Sequence, residues 1–170
     1  EARQTLETAL ADQPGDAGLR LMLASVIAMQ GDTAEAETRL RGLLQEDPKQ
    51  TMATIQLYGL LARQDRDAEA AAVLDAGLAV SPDASDLLWT RAGALERAGD
   101  IEGAIAVYDG LYARDSSNVL IANNLASLIG SYTNDPAALQ RAATIARRLR
   151  DTEVPAFQDT YGWIAYRQGN

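Results

Sequence analysis

The chain has 170 residues, 47% of them apolar, 5% aromatic and only five of them proline. That is apolar matter enough for one packed domain or a short run of repeats, and it argues against wholesale disorder. With no Cys and no His, disulfides, thiol nucleophiles, Ser-His-Asp triads and zinc sites of the usual ligand types are excluded. A formal charge of −9 disfavours nucleic acid and anionic membrane as partners.

The abundance of Ala and Leu favours helices, because neither loses much on entering one. Glu1–Asp12 is expected to be helical, with Ala2, Leu6, Ala9 and Leu10 on one face. Ala17–Met29 carries Leu19, Leu23, Val26 and Ile27 at helical spacing, with Ala24 and Ala28 between them. Gly31 then takes the left-handed turn that ends a helix, and Asp32 or Thr33 caps the next. That helix runs to about Glu46 with Ala36, Leu40, Leu43 and Leu44 inward, and Asp47-Pro48 stops it. The same grammar recurs in Met52–Arg63 with Ala68–Val80, and in Asp86–Ala98 with Glu102–Arg114. Val119–Ile129 is a further first helix, with Leu125-Ala126 at the small-residue site. After it the period slips. Asp135 caps and Pro136 opens a helix whose inward face is Ala142, Ile145, Ala146 and Leu149, which implies about four extra residues in the turn. Tyr161–Gln168 is a last helix that stops at Gly169-Asn170.

The chain repeats itself every 34 residues: Pro14, Pro48 and Pro82; Ala2, Ala36, Ala70 and Ala104; Leu6, Leu40, Leu74 and Tyr108. Gly31-Asp32 and Gly99-Asp100 stand two periods apart, with Asp65-Arg66 in the slot between them. The matching residues include Leu23-Ala24, Ile27, Gly31-Asp32, Ala36, Leu40, Leu43 and Pro48, with Tyr161-Gly162 and Gly169 in the last unit. On these the chain resembles the tetratricopeptide repeat (TPR) family, over essentially its whole length. The expected fold is therefore all-α, a right-handed α-solenoid of helix–turn–helix repeats. The units would be an orphan second helix at 1–16, full repeats at 17–50, 51–84 and 85–118, a repeat with a longer turn at 119–154, and an orphan first helix at 155–170. A chain cut at both ends in this way reads as a piece of a longer solenoid. The segment from Asn123-Asn124 through Trp163-Ile164 also resembles the closing repeats of large bacterial TPR proteins associated with the cell envelope or exopolysaccharide production.

The resemblance implies a concave groove lined by the first helices. Its residues here would be Leu21, Ser25, Met29, Ile55, Gly59, Arg63, Trp89, Gly93, Arg97, Asn123, Ser127 and Ser131, then Asp159, Trp163 and Tyr166. Trp89, Trp163 and Arg97 are candidate anchors, since Trp and Arg are enriched at energetic hot spots; the other reading packs both tryptophans between repeats. The family's Lys/Asn clamp for a peptide carboxylate is missing, because Leu21, Ser25, Gly59, Trp89 and Gly93 occupy its positions. Arg141, Arg147, Arg148 and Arg150 form a basic cluster, either a dock for an acidic partner or a solvated outer face. The implied function is a non-catalytic scaffold that binds a peptide or partner protein, with no cofactor, no metal, no nucleic acid and no direct membrane insertion. The alternative is a self-associating homo-oligomer, an assembly module of an envelope or exopolysaccharide export system. A carboxylate enzyme would need two acids held together in a cleft, and an RNA-binding repeat would need a basic face.

Overall fold

The computed structural model describes residues 1–169; Asn170, with which the last predicted helix was expected to end, lies outside them. The described residues form ten α-helices and no strand. They are α1 (Ala2–Asp12), α2 (Ala17–Met29), α3 (Thr33–Glu46), α4 (Thr51–Ala62), α5 (Asp67–Val80), α6 (Ser85–Ala98), α7 (Ile101–Arg114), α8 (Val119–Tyr132), α9 (Pro136–Ala146) and α10 (Pro155–Arg167), with a 3-10 turn at Arg147–Leu149. The chain divides into two compact units, residues 1–87 and the part from Leu88 onward.

In the first unit each helix packs on its sequence neighbour, α1 on α2, α2 on α3, α3 on α4 and α4 on α5, and α2 also touches α4. The small-residue columns are what make this possible. Ala24, Ala36, Ala53 and Ala70 are all buried, which lets helix axes approach near the lower end of the usual ~8–10 Å. Leu23, Ile27, Leu40, Leu43, Leu57, Leu61 and Leu74 fill the space between them; each such side chain contributes roughly 1.5–3 kcal/mol on burial. Gly77 is a closer contact still: a Cβ there would lie 2.7 Å from Thr54 Cγ2, so α5 can sit on α4 only without a side chain at this point.

The second unit contains α6 from Leu88 onward and α7 through α10, with α7 on α8, α8 on α9, and α10 against both α8 and α9. Ala92, Ala104, Ala122, Ala126, Ala142 and Ala146 are its buried small residues, interleaved with Tyr108, Leu111, Leu125, Ile145, Leu149, Phe157 and Ile164. The four extra residues after α8 divide between turn and helix. Thr133–Asp135 makes a three-residue turn where Gly99–Asp100 makes one of two, and Ala142 is the seventh residue of α9 where Ala104 is the fourth of α7.

Among the described residues, aspartate or asparagine caps five of the ten helices. Asp16 accepts from Leu19 N (2.8 Å), Asp32 from Glu35 N (3.1 Å), Asp100 from Gly103 N (2.9 Å) and Asp135 from Ala138 N (2.9 Å). Asn118 accepts from both Leu120 N and Ile121 N. The turns after α2 and α6 place Gly31 and Gly99 at φ 91° and 79°; Asp65, in the slot between them, keeps the left-handed turn at φ 57°. A side chain there is strained, less so for Asp than for most. Asp65→Gly should therefore stabilise the first unit by about 0.5–1 kcal/mol, read as a higher urea midpoint with an unchanged slope.

Candidate functional site

The candidate groove residues fall into two sets, one in each unit. In the first, α2 places Leu21 and Ser25 half-buried and Met29 86% exposed. The Ser25 hydroxyl donates back to Leu21 O at 3.1 Å, so it is satisfied within its own helix. On α4, Ile55 and Gly59 are half-buried and Arg63 is exposed. Gly59 leaves room for the Arg63 guanidinium, whose Nη1 lies 3.5 Å from where a Cβ would stand. Two apolar residues outside the predicted set share this face: Met22 at 56% exposure and Met52 at 51%.

In the second unit the two tryptophans differ. Trp89 is half-buried and meets the Tyr108 ring edge to face, with centroids 5.4 Å apart and planes at 78°. Trp163 is 43% exposed, stacks on Tyr166 at 5.8 Å, and donates its Nε1–H to Gly130 O at 3.3 Å. Arg167, which the sequence did not single out, lies over the Trp163 ring at 5.6 Å. Gly93 and Ser127 are half-buried, while Arg97, Ser131, Asp159 and Tyr166 are exposed.

Asn123 and Asn124 belong to a polar chain that enters the core. Asn123 Nδ2 donates to Asn124 Oδ1 (3.3 Å), Asn124 Nδ2 to the Tyr108 hydroxyl (3.0 Å), and that hydroxyl to Glu96 Oε1 (2.9 Å). Burial pushes the Tyr108 phenol up to about 12; Glu96 adds to this and the Asn124 hydrogen bond opposes it. The phenol is thus a neutral donor at physiological pH. Asn123 Oδ1 is buried without a hydrogen-bond partner.

The second helices present a different surface. Arg3 of α1 bridges Glu7 and Glu35, and Glu35 also holds Arg39. Glu37 of α3 pairs with Arg41 and with Arg66 at the start of α5, and Arg66 reaches Glu69. In the second unit Arg141 pairs with Asp109, and Arg148 donates to Ser116 O and covers the Tyr112 ring. Two members of the basic cluster are thereby held by this chain's own groups. Hydrogen bonds from Arg39 and Arg66 hold Glu35 and Glu37 respectively below the usual carboxylate range; Arg20 does so for Glu46 and Arg66 for Glu69. A carboxyl whose folded pKa is depressed adds stability above its unfolded pKa. That contribution should be present above about pH 5 and fade as the pH drops below about 4. Exposed pairs of this kind are each worth little. Thermal melts of the wild type and Arg66→Ala at pH 7 and pH 3 should show a Tm gap that narrows in acid and in high salt.

Among the described residues no cluster of acidic side chains could hold a metal ion, and no helix is long and apolar enough to cross a membrane. Each unit is a stack of antiparallel helix hairpins with small residues at the crossings, the build of the all-α helical-repeat class. Residues 1–63 and 28–92 match the family profile described as tetratricopeptide repeat, and the chain belongs to that family. It is similar to a TPR repeat-containing protein of Pseudomonas aeruginosa, at 28% identity over 88% of this chain and 25% of that one. It is also similar to the mouse protein O-mannosyl-transferase TMTC1, at 26% identity over 76% of this chain and 14% of the relative. The chain thus spans a quarter or less of these relatives' lengths. Among solved structures, a tetratricopeptide repeat protein of Parabacteroides merdae superposes with a TM-score of 0.69 at 14% identity, over 99% of this chain and 66% of the other. A TPR protein of Thermus thermophilus gives 0.65 at 21% identity, over 99% and 89%. MamA of Desulfovibrio magneticus gives 0.65 at 16%, over 89% and 86%. These likenesses place the fold among TPR α-solenoids. Repeats of this family generally mediate protein–protein interaction and are typically non-catalytic.

Proposed function

We propose that the chain is a non-catalytic scaffold that takes a peptide or partner protein on the exposed faces of its first helices, with 17–50, 51–84 and 85–118 as complete repeats. One asymmetry carries this reading. Among the described residues, seven of the ten large apolar side chains left in water stand on the first helices α2, α4, α8 and α10: Met22, Met29, Met52, Val119, Leu120, Trp163 and Tyr166. Val80 of α5 and Val154 lie off them, and Tyr132 at the end of α8 turns toward Ile101 and Ile105 of α7 and Ala138 of α9. The second helices cover their outer faces with ion pairs instead. Within each unit, first helices that carry apolar anchors and second helices that carry ion pairs give surfaces of different character. The test is to select peptides from a random displayed library on the immobilised chain, then to measure their affinity for variants. Met29→Ala, Trp163→Ala or Tyr166→Ala should weaken the selected peptides tenfold or more, about 1.4 kcal/mol, while Arg66→Ala on the opposite surface should not. The reverse pattern would move the site to the second helices.

Self-association is the second reading, supported by a groove of about 380 Å³ between α9 and α10 lined by Ala143, Ala146, Tyr161, Ile164 and Ala165 together with Gln140, Thr144, Arg147 and Gln168. Light scattering over a concentration series separates it from the monomeric scaffold.

A further inference from the structure

The chain contains three methionines and no cysteine, so three thioethers are its whole sulfur inventory. None of the three is buried: Met22, Met29 and Met52 are 56%, 86% and 51% exposed. The core around them is built without sulfur, from Leu23, Ile27, Leu57, Leu61 and small alanines. All three lie on first helices of the first unit, and α2 and α4 pack against each other. On α2, Met22 and Met29 are seven residues apart and share a strip of about 100° with Leu21 and Ser25. On α4, Met52 falls in the same strip as Ile55 and Gly59. An unbranched thioether is an adaptable apolar contact, and its sulfoxide is polar and chiral.

We infer that Met22, Met29 and Met52 are an oxidation switch: a hydroperoxide converts them to sulfoxides while the helices stay folded, turning this face from apolar to polar. In the step, a sulfur lone pair attacks the distal peroxide oxygen. The S–O bond forms as the O–O bond breaks, sulfur loses two electrons, and the departing oxygen takes up the proton as water or an alcohol. Nothing in the core needs to open, because each of the three methionines is already more than half exposed. No thiol in the chain competes for the oxidant. That the switch controls partner binding rests on the proposed first-helix docking face; that it operates on this surface does not.

Hydrogen peroxide applied to the intact chain tests the inference without any partner. Intact mass should rise by three oxygen atoms at the dose that fully oxidises N-acetyl-methionine amide, with peptide mapping placing one on each methionine. Far-ultraviolet circular dichroism should be unchanged. Retention on a phenyl hydrophobic-interaction column should fall, and methionine sulfoxide reductases A and B with dithiothreitol should restore it. The triple variant Met22→Leu, Met29→Leu and Met52→Leu keeps the apolar area, so peroxide should change neither its mass nor its retention. Fewer than three oxygens at that dose, oxidation accompanied by loss of helical signal, or unchanged retention after full oxidation would each overturn the switch. Failure of the docking face instead leaves these results intact and shows only as peptide affinities indifferent to Met29→Ala.

Discussion

Tyr108→Ala should lower the stability of the second unit by about 3–5 kcal/mol, whereas Tyr108→Phe should cost about 1–2 kcal/mol. The ring is 2% exposed at the centre of the cluster formed by Ala92, Ala104, Leu111, Leu125 and Ala126. It occupies the column that Leu40 and Leu74 fill in the first unit, and it adds an edge-to-face contact with Trp89 at 5.4 Å. Truncation to Ala leaves a cavity that rigid helices on both sides cannot close. The Phe variant isolates the hydroxyl, which donates to Glu96 and accepts from Asn124. Removing it strands the Asn124 donor in a part-buried place. The phenol, raised to about 12 by burial, also links stability to pH. An acid whose folded pKa lies above its unfolded value stabilises the fold fully below the unfolded pKa, about 10, and less as the pH climbs toward 12. Urea denaturation of the three proteins at pH 7 and pH 11 should show the wild type losing its advantage over Tyr108→Phe in alkali. An ultraviolet titration should lose its highest phenolate step in that variant. Equal costs for Phe and Ala would mean that the hydroxyl, and not the ring, carries the joint.

Much of this was legible beforehand because repeats state the same steric rule several times. Alanine at 36, 70 and 104 is small at every crossing, and all three are buried. Gly31 and Gly99 announce left-handed turns, and Asp65 adopts one because its neighbours impose it. The helix caps follow from Asp16, Asp32, Asp100 and Asp135, residues whose carboxylates reach an amide three positions on. What local pattern does not hold is the identity of long-range partners. Trp89 and Trp163 are the same residue type on first helices, yet one packs on Tyr108 and the other stands over the end of α8. The difference is set by the neighbouring element, some twenty to thirty residues away. Met22 lies one residue past Leu21 and Met52 three residues before Ile55, off the positions that the family pattern marks, although their exposure makes them part of the same surface. The extra residues after α8 were visible as a count; their division between a three-residue turn and a longer α9 was not.

Arg167→Ala should be the most damaging change on the surface of α10, at about 1.5–3 kcal/mol. The reason begins at α8. Its last turn lacks a left-handed glycine, since Thr133 leaves it in extended conformation at φ −114°, ψ 150°. The final carbonyls of a helix have no partner within it and need donors from outside. Arg167 supplies them: Nη1 donates to Gly130 O at 2.6 Å, and Nη2 to Thr133 O at 2.5 Å and Asn134 Oδ1 at 2.8 Å. Its plane also lies over Trp163, which donates to the same Gly130 carbonyl. A planar fork can meet three acceptors while stacked on a ring; an ammonium group cannot, so Arg167→Lys should recover less than half of the loss. Gly130→Ala probes the joint independently, because its Cβ would stand 2.9 Å from Ile164 Cγ1 and push α10 away. If Arg167 and Gly130 act on one contact between α8 and α10, the double variant should cost less than the two single costs added together. Amide exchange at the end of α8 should quicken in Arg167→Ala, Gly130→Ala and the double variant while α7 keeps its protection. Additive costs would instead mean that Arg167 merely neutralises the helix end through space, and adding salt would then abolish its effect.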